Sequence, residues 1–99
     1  MEERVSLLER DRSPFSIRLK RLNRYQLREP LDVIVEFEED GYIARAVDLD
    51  RYGLGDDPFE AVADLKNEVE QFYDELLSQG KMTDNLKRVK IFLDSIIAK

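Results

Sequence analysis

Alternating hydrophobic and polar positions predict a β-hairpin in the middle of the chain. Residues 31–38 are rich in β-branched residues with polar ones between them, which is typical of a strand. Asp40-Gly41 follows, and this dipeptide favours a two-residue hairpin turn because both positions of such a turn need positive φ. Residues 42–49 are therefore predicted to return as the second strand.

This turn determines which residues share a face of the hairpin. One face pairs Phe37 with Ala44, Val35 with Ala46, and Val33 with Asp48. The two alanines on that face leave room for a helix. The other face pairs Glu36 with Arg45, Ile34 with Val47, and Glu38 with Ile43. The C-terminal helix, the N-terminal segment or another chain must cover the apolar residues of this second face, which are Ile34, Ile43, Val47 and Leu49.

A long amphipathic helix is predicted after the hairpin. Asp57 is a suitable N-cap, Pro58 suits the first helical position, and Glu60 lies where a capping box places its acid. We expect the helix to run to about Gln79, with Gly80 as its C-terminal stop. Its apolar stripe consists of Phe59, Val62, Leu65, Val69, Phe72 and Leu76. The acids that lie largely off the stripe and form an acidic outer surface are Asp64, Glu68, Glu70, Asp74 and Glu75.

Shorter segments complete the pattern. Residues 52–55 predict a brief third strand whose glycines permit close approach or a bulge. Residues 15–20 alternate and predict a strand before the hairpin, and residues 5–8 allow another. A second helix is predicted from about residue 83, with a strand at residues 89–93 as the alternative. The apolar face of this helix consists of Leu86, Val89, Phe92, Leu93, Ile96 and Ile97.

Together these elements predict one α+β domain over residues 1–99, a length that suits a single modest core. Its antiparallel sheet contains the hairpin, the short third strand and an N-terminal strand, and it packs on the long helix. We divide the chain into a basic N-terminal segment (1–30), a hairpin, short strand and helix (31–80), and a C-terminal helix (83–99).

The residue types that are missing exclude several kinds of site. The chain contains no Cys and no His, which removes disulfides, thiolate metal sites and the usual neutral-pH general base. No stretch approaches the roughly 20 apolar residues of a membrane span, and the N-terminus lacks the apolar core of a signal peptide. We therefore expect a cytoplasmic protein with no cofactor and no membrane partner.

Acids at the end of the hairpin are candidates for a metal or acid–base site. An EF-hand loop that begins at Asp48 finds Asp50 and Asp56 at ligand positions. However, Tyr52 stands at its fifth position and Phe59 stands where a bidentate Glu is required. Paired carboxylates can also bind Mg²⁺, but solvated surface acids explain the spacing better in a chain with 22 of them. We predict no metal site, no catalytic residue and no enzymatic activity.

The net charge of −6 is distributed unevenly along the chain. Residues 1–30 hold eight Arg/Lys and five Asp/Glu, a balance of +3, whereas residues 31–99 hold eight and seventeen, a balance of −9. The acidic body repels nucleic acid and attracts a basic partner. The alternative is a nucleic-acid-binding strip formed by Arg18, Lys20, Arg21, Arg24 and Arg28. We favour the interpretation in which these cations pair with the acidic body and protect an edge strand.

Several short motifs follow one another between residues 33 and 76. In order they are Asp40-Gly41-Tyr42-Ile43-Ala44, Asp48-Leu49, Tyr52-Gly53-Leu54-Gly55-Asp56-Asp57, and Glu60-Ala61 with Leu65. This order resembles the HicB-like antitoxin family, whose hairpin carries Asp-Gly-Tyr-x-Ala, followed by Asp-Leu, a glycine-containing short strand, Gly-Asp-Thr and a helix that starts Glu-Glu-Ala. Val47 stands where the family usually has proline, and Asp50-Arg51-Tyr52 replaces its Pro-Gly-Cys.

The resemblance implies a partial ribonuclease-H-like fold with a β-β-β-α core and without the catalytic carboxylates of that fold. It also implies a protein that binds and blocks a small basic RNA-cleaving toxin. Many family members append a DNA-binding domain, for which the residues after Gly80 are too few. Solitary relatives without a toxin partner also occur, so a HicB-fold protein of open function is an alternative.

We therefore predict a non-enzymatic interaction module that forms a dimer or larger homo-oligomer and binds a small basic toxin. The predicted partner-binding residues are Tyr52, Leu54, Asp48, Glu68 and Glu75. The predicted oligomer or cover face is the apolar hairpin face with Ile34, Ile43, Val47 and Leu49. Nucleic-acid binding through Arg18–Arg28 is the alternative function.

Overall fold

The computed structural model describes residues 13–98, which form an α+β fold as predicted. The antiparallel sheet has the order β1-β2-β3-β4, with β1 at Phe15–Arg21, β2 at Gln26–Glu38, β3 at Gly41–Ala46 and β4 at Arg51–Gly55. The remaining elements are α1 at Pro58–Ser78, α2 at Asp84–Ile96 and β5 at Ile97–Ala98, which pairs with the start of β2. The strand considered at residues 5–8 lies outside the described residues.

The described part of the basic segment, from residue 13 onward, adds β1 and the start of β2 to the same sheet. β1 pairs antiparallel with β2 and confirms the N-terminal strand. A 2.7 Å hydrogen bond from the Leu22 amide to the Tyr25 carbonyl closes the turn between them. Leu22 is buried, so the turn is anchored in the core. β2 begins at Gln26, whereas the predicted strand began at Leu31, and the extra length pairs with both β1 and β5.

The predicted register of the β2–β3 hairpin is wrong by two residues. Phe37 lies opposite Tyr42 instead of Ala44, and the loop consists of the two residues before Gly41. Gly41 is the first residue of β3, where it has a φ of +151° and where a Cβ would lie 2.5 Å from the Gly55 carbonyl oxygen. A shift of two residues keeps each side chain on its face because strand side chains alternate with period two. The residues predicted to face the helix and found buried are Val33, Val35, Ala44 and Ala46.

β3 ends at Ala46, earlier than predicted. The Ala46 carbonyl accepts hydrogen bonds from the amides of Leu49 at 3.2 Å and Asp50 at 3.1 Å. Asp50 has a φ of 53°, a left-handed conformation that aspartate tolerates. The chain therefore turns back immediately and carries Leu49 into the core with 5% exposure. The prediction that Leu49 belongs to the outer face is wrong.

Two glycines let α1 pack directly against β4. A Cβ on Gly53 would lie 2.5 Å from the Ala61 carbonyl oxygen, and one on Gly55 would lie 2.5 Å from the Glu60 Cβ. The predicted close approach at the short strand is therefore confirmed. At the start of α1, the Asp57 side chain accepts a 2.9 Å hydrogen bond from the Glu60 amide, which confirms the predicted N-cap.

The buried side of α1 differs from the predicted stripe. Phe59 is 86% exposed, so its predicted place in the core is wrong, and it borders an open apolar groove of about 440 Å³ beside Phe15. Glu70, predicted on the acidic outer surface, is buried with 5% exposure. Ala61 and Leu65 pack closely against Gly53 of β4, and this contact sets the rotation of α1 about its axis. In this rotation Phe59 faces solvent and Glu70 faces the protein interior. The buried residues of α1 are Ala61, Leu65, Val69, Glu70, Phe72, Tyr73 and Leu76.

α2 occupies the segment for which a strand was the alternative. The Thr83 hydroxyl accepts a 3.2 Å hydrogen bond from the Leu86 amide and caps the helix. Leu93 and Ile96 are buried in the same core as α1, and the other residues predicted for this helix face, Leu86, Val89 and Phe92, pack partly buried against it. The prediction that the helix runs to residue 99 is wrong, because α2 ends at Ile96 and Ile97 is buried as part of β5, paired with Leu27. Neither described helix combines the length and apolar character needed to cross a bilayer.

Candidate functional site

The sheet face opposite α1 carries an exposed apolar patch. Ile34 and Ile43 are half-buried there, and Val47 is 50% exposed. Tyr52 and Leu54 of β4 continue the patch with 58% and 56% exposure. The two described helices pack on the other face, so the C-terminal helix is not the cover that this patch was predicted to need.

Ion pairs cross the same outer face. The predicted Glu36–Arg45 pair is present, with 3.5 Å between Glu36 Oε1 and Arg45 Nη2, although the true register places the two residues diagonally. Arg18 Nε lies 3.4 Å from Asp32 Oδ1. Both pairs are solvent-exposed and contribute at most about 1 kcal/mol each. They make the outer face a mixture of apolar and paired charged residues.

The predicted nucleic-acid strip is divided between paired and exposed cations. Arg24 Nε lies 3.2 Å from Glu70 Oε1, and the guanidinium also bonds Asp74. The hydrogen bond to Asp74, followed by that to Glu70, raises the pKa of Arg24 above its already high ordinary value. Arg24 is thus held by α1, and Arg18 is paired on the outer face. The other three residues of the predicted strip, Lys20, Arg21 and Arg28, are exposed and form no ion pair within residues 13–98.

Glu70 links the β1–β2 turn to the helices. Its carboxylate accepts hydrogen bonds from both the backbone amide and the guanidinium of Arg24. Next to it, the rings of Tyr25 and Tyr73 meet edge to face with centroids 5.7 Å apart. The Tyr73 hydroxyl donates to Asp94 Oδ1 at 2.6 Å and so reaches α2. A buried carboxylate needs such partners, so we assign Glu70 a structural role.

The other flank of α1 brings acids to the edge of β4. Asp64 Oδ2 accepts a 2.9 Å hydrogen bond from the Leu54 amide. Glu68 Oε1 lies 3.3 Å from Arg51 Nη1, and the Arg51 guanidinium carbon lies 3.7 Å from the centroid of the Phe72 ring. A pocket of about 320 Å³ opens here, and it is lined by Asp50, Arg51, Tyr52, Leu54, Asp64 and Glu68. The lining thus holds three carboxylates and one guanidinium beside two exposed apolar side chains.

The pocket contains some of the predicted partner-binding residues. Tyr52, Leu54 and Glu68 line it. Glu75 lies two helical turns beyond Glu68, on the same flank of α1 and outside the pocket. Asp48 is exposed in the turn before β4 and does not line the pocket either.

Sequence reasoning missed two acids of this pocket. Asp64 was recognised only as part of the acidic surface, although its i, i+4 spacing from Glu68 already placed both on one flank of the helix. Asp50 had no comparable signal, because its position depends on the left-handed turn that returns the chain to β4. The acids weighed as metal ligands do not converge, since residues 13–98 contain no group of three or more Asp, Glu, His or Cys arranged to hold a metal.

No protein-family profile, curated protein or solved structure matches this chain significantly. The HicB-like resemblance stays a prediction. The features of the structure that bear on function are therefore the pocket at β4 and the charged residues around it.

Proposed function

We propose that this protein is a non-enzymatic binding module that holds a small basic protein at the β4 pocket. The observation that supports this is the juxtaposition of exposed Tyr52 and Leu54 with the carboxylates of Asp50, Asp64 and Glu68. Exposed aromatic and aliphatic side chains supply apolar contact area, and the carboxylates select a cationic partner.

The charge distribution strengthens this choice of partner. Residues 31–99 carry a balance of −9, which steers cationic molecules toward the body of the protein. Within the pocket, Arg51 pairs with Glu68, whereas the carboxylates of Asp50 and Asp64 form no ion pair within residues 13–98. A Lys or Arg of the partner would therefore meet two carboxylates that form no ion pair within the described residues.

The resemblance to HicB-like antitoxins suggests that the basic partner is an RNA-cleaving toxin. RNA-cleaving toxins carry the positive surface that RNA binding requires, and an acidic module can occupy that surface and block it. The proposal retains the cytoplasmic location and the absence of a cofactor that were predicted from the sequence. It assigns the protein no reaction of its own.

The test first asks whether a gene for a small basic protein lies beside the gene of this protein, and the absence of such a gene would count against a toxin as the partner. If it is present, its product is combined with the full chain. We expect the two to co-purify, their Kd to rise with salt, and RNA cleavage by the basic protein to stop when the complex forms. Glu68→Lys should weaken binding at least about tenfold, because it places a cation against the cationic partner. Glu29→Lys makes the same change of charge on an exposed acid outside the pocket and should bind normally. Equal binding by both variants, or no binding by the wild type, would contradict the proposal.

The outer face offers a site for self-association. Val47, Ile34 and Ile43 are apolar residues of this face that neither described helix covers, with the Glu36–Arg45 ion pair among them. We propose that a homo-oligomer, a dimer or larger, buries this surface. A solution mass equal to the monomer at high protein concentration would exclude it, and Val47→Lys should shift an oligomer toward monomer.

Nucleic-acid binding is the second candidate function. The observation that favours it is the exposed group of Lys20, Arg21 and Arg28 near the β1–β2 turn. Phosphate contacts release counterions, so binding to RNA or DNA should weaken steeply with salt. Arg21→Glu tests this without disturbing Arg24, and unchanged binding in that variant would remove the candidate.

A further inference from the structure

The outer edge of β4 presents backbone groups that can accept another strand. Within the described residues, β4 pairs with β3 on one side only. The Leu54 amide points away from β3 and donates to Asp64. Residues two apart in an antiparallel ladder direct their backbone groups the same way. The amide and carbonyl of Tyr52 and the carbonyl of Leu54 therefore also point outward.

The hydrogen bonds between β2 and β3 independently give the same orientation for the backbone groups of Tyr52. The Val47 amide donates to the Asp32 carbonyl at 3.2 Å, so Arg45, two residues earlier, also turns its backbone groups toward β2. Arg45 lies opposite Tyr52 in the β3–β4 ladder. That pair is therefore not hydrogen-bonded, and the backbone groups of Tyr52 face the open edge.

Two chemically different surfaces flank this edge. On the outer face of the sheet, the exposed side chains of Tyr52 and Leu54 are apolar. On the helix face, α1 packs over β4 and presents Asp64 and Glu68 beyond it, with Asp50 beside them. The side chains of an added strand would alternate between these surfaces. Positions opposite Tyr52 and Leu54 would meet the apolar pair, and the positions between them would meet the carboxylates.

We propose that β4 accepts an antiparallel, extended polypeptide in which apolar residues alternate with Lys or Arg. This inference rests on the proposed function and specifies the segment of the basic partner that binds. The backbone hydrogen bonds at Tyr52 and Leu54 hold the segment in register, and the two flanking surfaces select its side chains. Because Asp64 already caps the Leu54 amide, the edge is partly protected against nonspecific strand addition.

A second copy of this chain fits the edge poorly. If β4 paired with β4 of another copy, Asp64 and Glu68 of each copy would face the same acids of the other. β1 of another copy carries Ile17 and Leu19 on its helix face and Arg18 on its outer face. That is the reverse of the required pattern. The occupant is therefore a different polypeptide.

The first experiment adds a short capped peptide, in which arginine and valine alternate, to the full chain. We expect binding that slows hydrogen exchange of the Tyr52 amide, measured by NMR. A peptide with the same residues grouped in two blocks should bind at least about tenfold more weakly, because it cannot match both flanking surfaces in one register.

Backbone methylation supplies a matched pair of peptides. In the antiparallel arrangement, the valine amides point toward β4 and the arginine amides point away. Methylation of the central valine amides should weaken binding at least about tenfold, since two hydrogen bonds are lost. Methylation of the arginine amides should leave the Kd unchanged.

The possible outcomes separate this inference from the proposed function. Equal binding of all the peptides, with unchanged exchange of the Tyr52 amide, would overturn strand addition but leave charge-driven binding of a basic protein standing. Failure of every arginine peptide and of the small basic protein would overturn both. A Tyr52 amide that exchanges slowly in a dimer of the protein alone would show that a second copy occupies the edge, which also overturns the inference.

Discussion

Replacement of Gly53 by alanine should separate α1 from β4. The added Cβ would lie 2.5 Å from the Ala61 carbonyl oxygen and closer still to the Leu65 amide nitrogen. These obstacles are helix backbone atoms, so no side-chain rotation can relieve the overlap. The helix must move outward instead, which weakens the contacts of the buried residues that face the sheet.

The size of the effect follows from this overlap. Overpacking a well-packed core costs about 1–3 kcal/mol, and the rigid obstacle places Gly53→Ala near the upper end, at about 3 kcal/mol. A domain of this size has a free energy of unfolding of about 5–15 kcal/mol. Each kcal/mol lowers Tm by about 4–8 °C in a domain of this length, so we expect a fall of about 12–24 °C.

Thermal and urea unfolding followed by circular dichroism would measure the change. Gly80→Ala is the matched control, because a Cβ there meets nothing within 4 Å and should change stability by less than about 0.5 kcal/mol. A Gly53→Ala protein that melts within about 3 °C of the wild type would refute the argument that close packing of helix and strand needs this glycine. The displaced helix should also carry Asp64 away from Leu54 and weaken peptide binding at the β4 edge.

Three further predictions concern individual side chains, each measured by urea unfolding. Leu49→Ala should cost about 2–4 kcal/mol because the residue is buried, whereas Ile91→Ala, at an exposed position outside the proposed interfaces, should cost less than about 0.5 kcal/mol; equal costs would mean that Leu49 is not part of the core. Glu70→Ala should cost about 2 kcal/mol through lost hydrogen bonds to a charged acceptor, with Glu75→Ala near neutral as its control; equal effects would deny Glu70 its structural role. Tyr73→Phe keeps the ring and removes only the hydroxyl that donates to α2, so it should cost about 1 kcal/mol, and a neutral result would show that this bond adds nothing to stability.

Local sequence patterns were sufficient to predict the type and the order of most helices and strands. The hairpin, the short glycine-containing strand and both helices were predicted, and the Asp57 cap was placed correctly. These features depend on residues close together in sequence, such as a capping side chain and an amide three residues away. Alternation with period two also assigned Val35 and Ala44 to the core face even though the register was wrong.

The rest depended on contacts between distant residues. Gly41 was assigned to the turn because Asp-Gly favours one, but the close approach of β4 places it in the strand. The turn after Ala46 buries Leu49, and the packing of α1 on Gly53 leaves Phe59 exposed. Local sequence patterns cannot predict these contacts, because each contact involves a part of the chain that lies further along the sequence.

The candidate site shows the same division. The acidity of α1 and the short strand before it were predicted from the sequence, as were Tyr52, Leu54 and Glu68 as partner-binding residues. The sequence could not show that the acids of α1 separate into two groups, one that holds Arg24 and one that lies along β4. That separation requires the β1–β2 turn to reach one flank of the helix while β4 lies under the other. Only the tertiary structure therefore decides which acids stabilise the fold and which remain available to a partner.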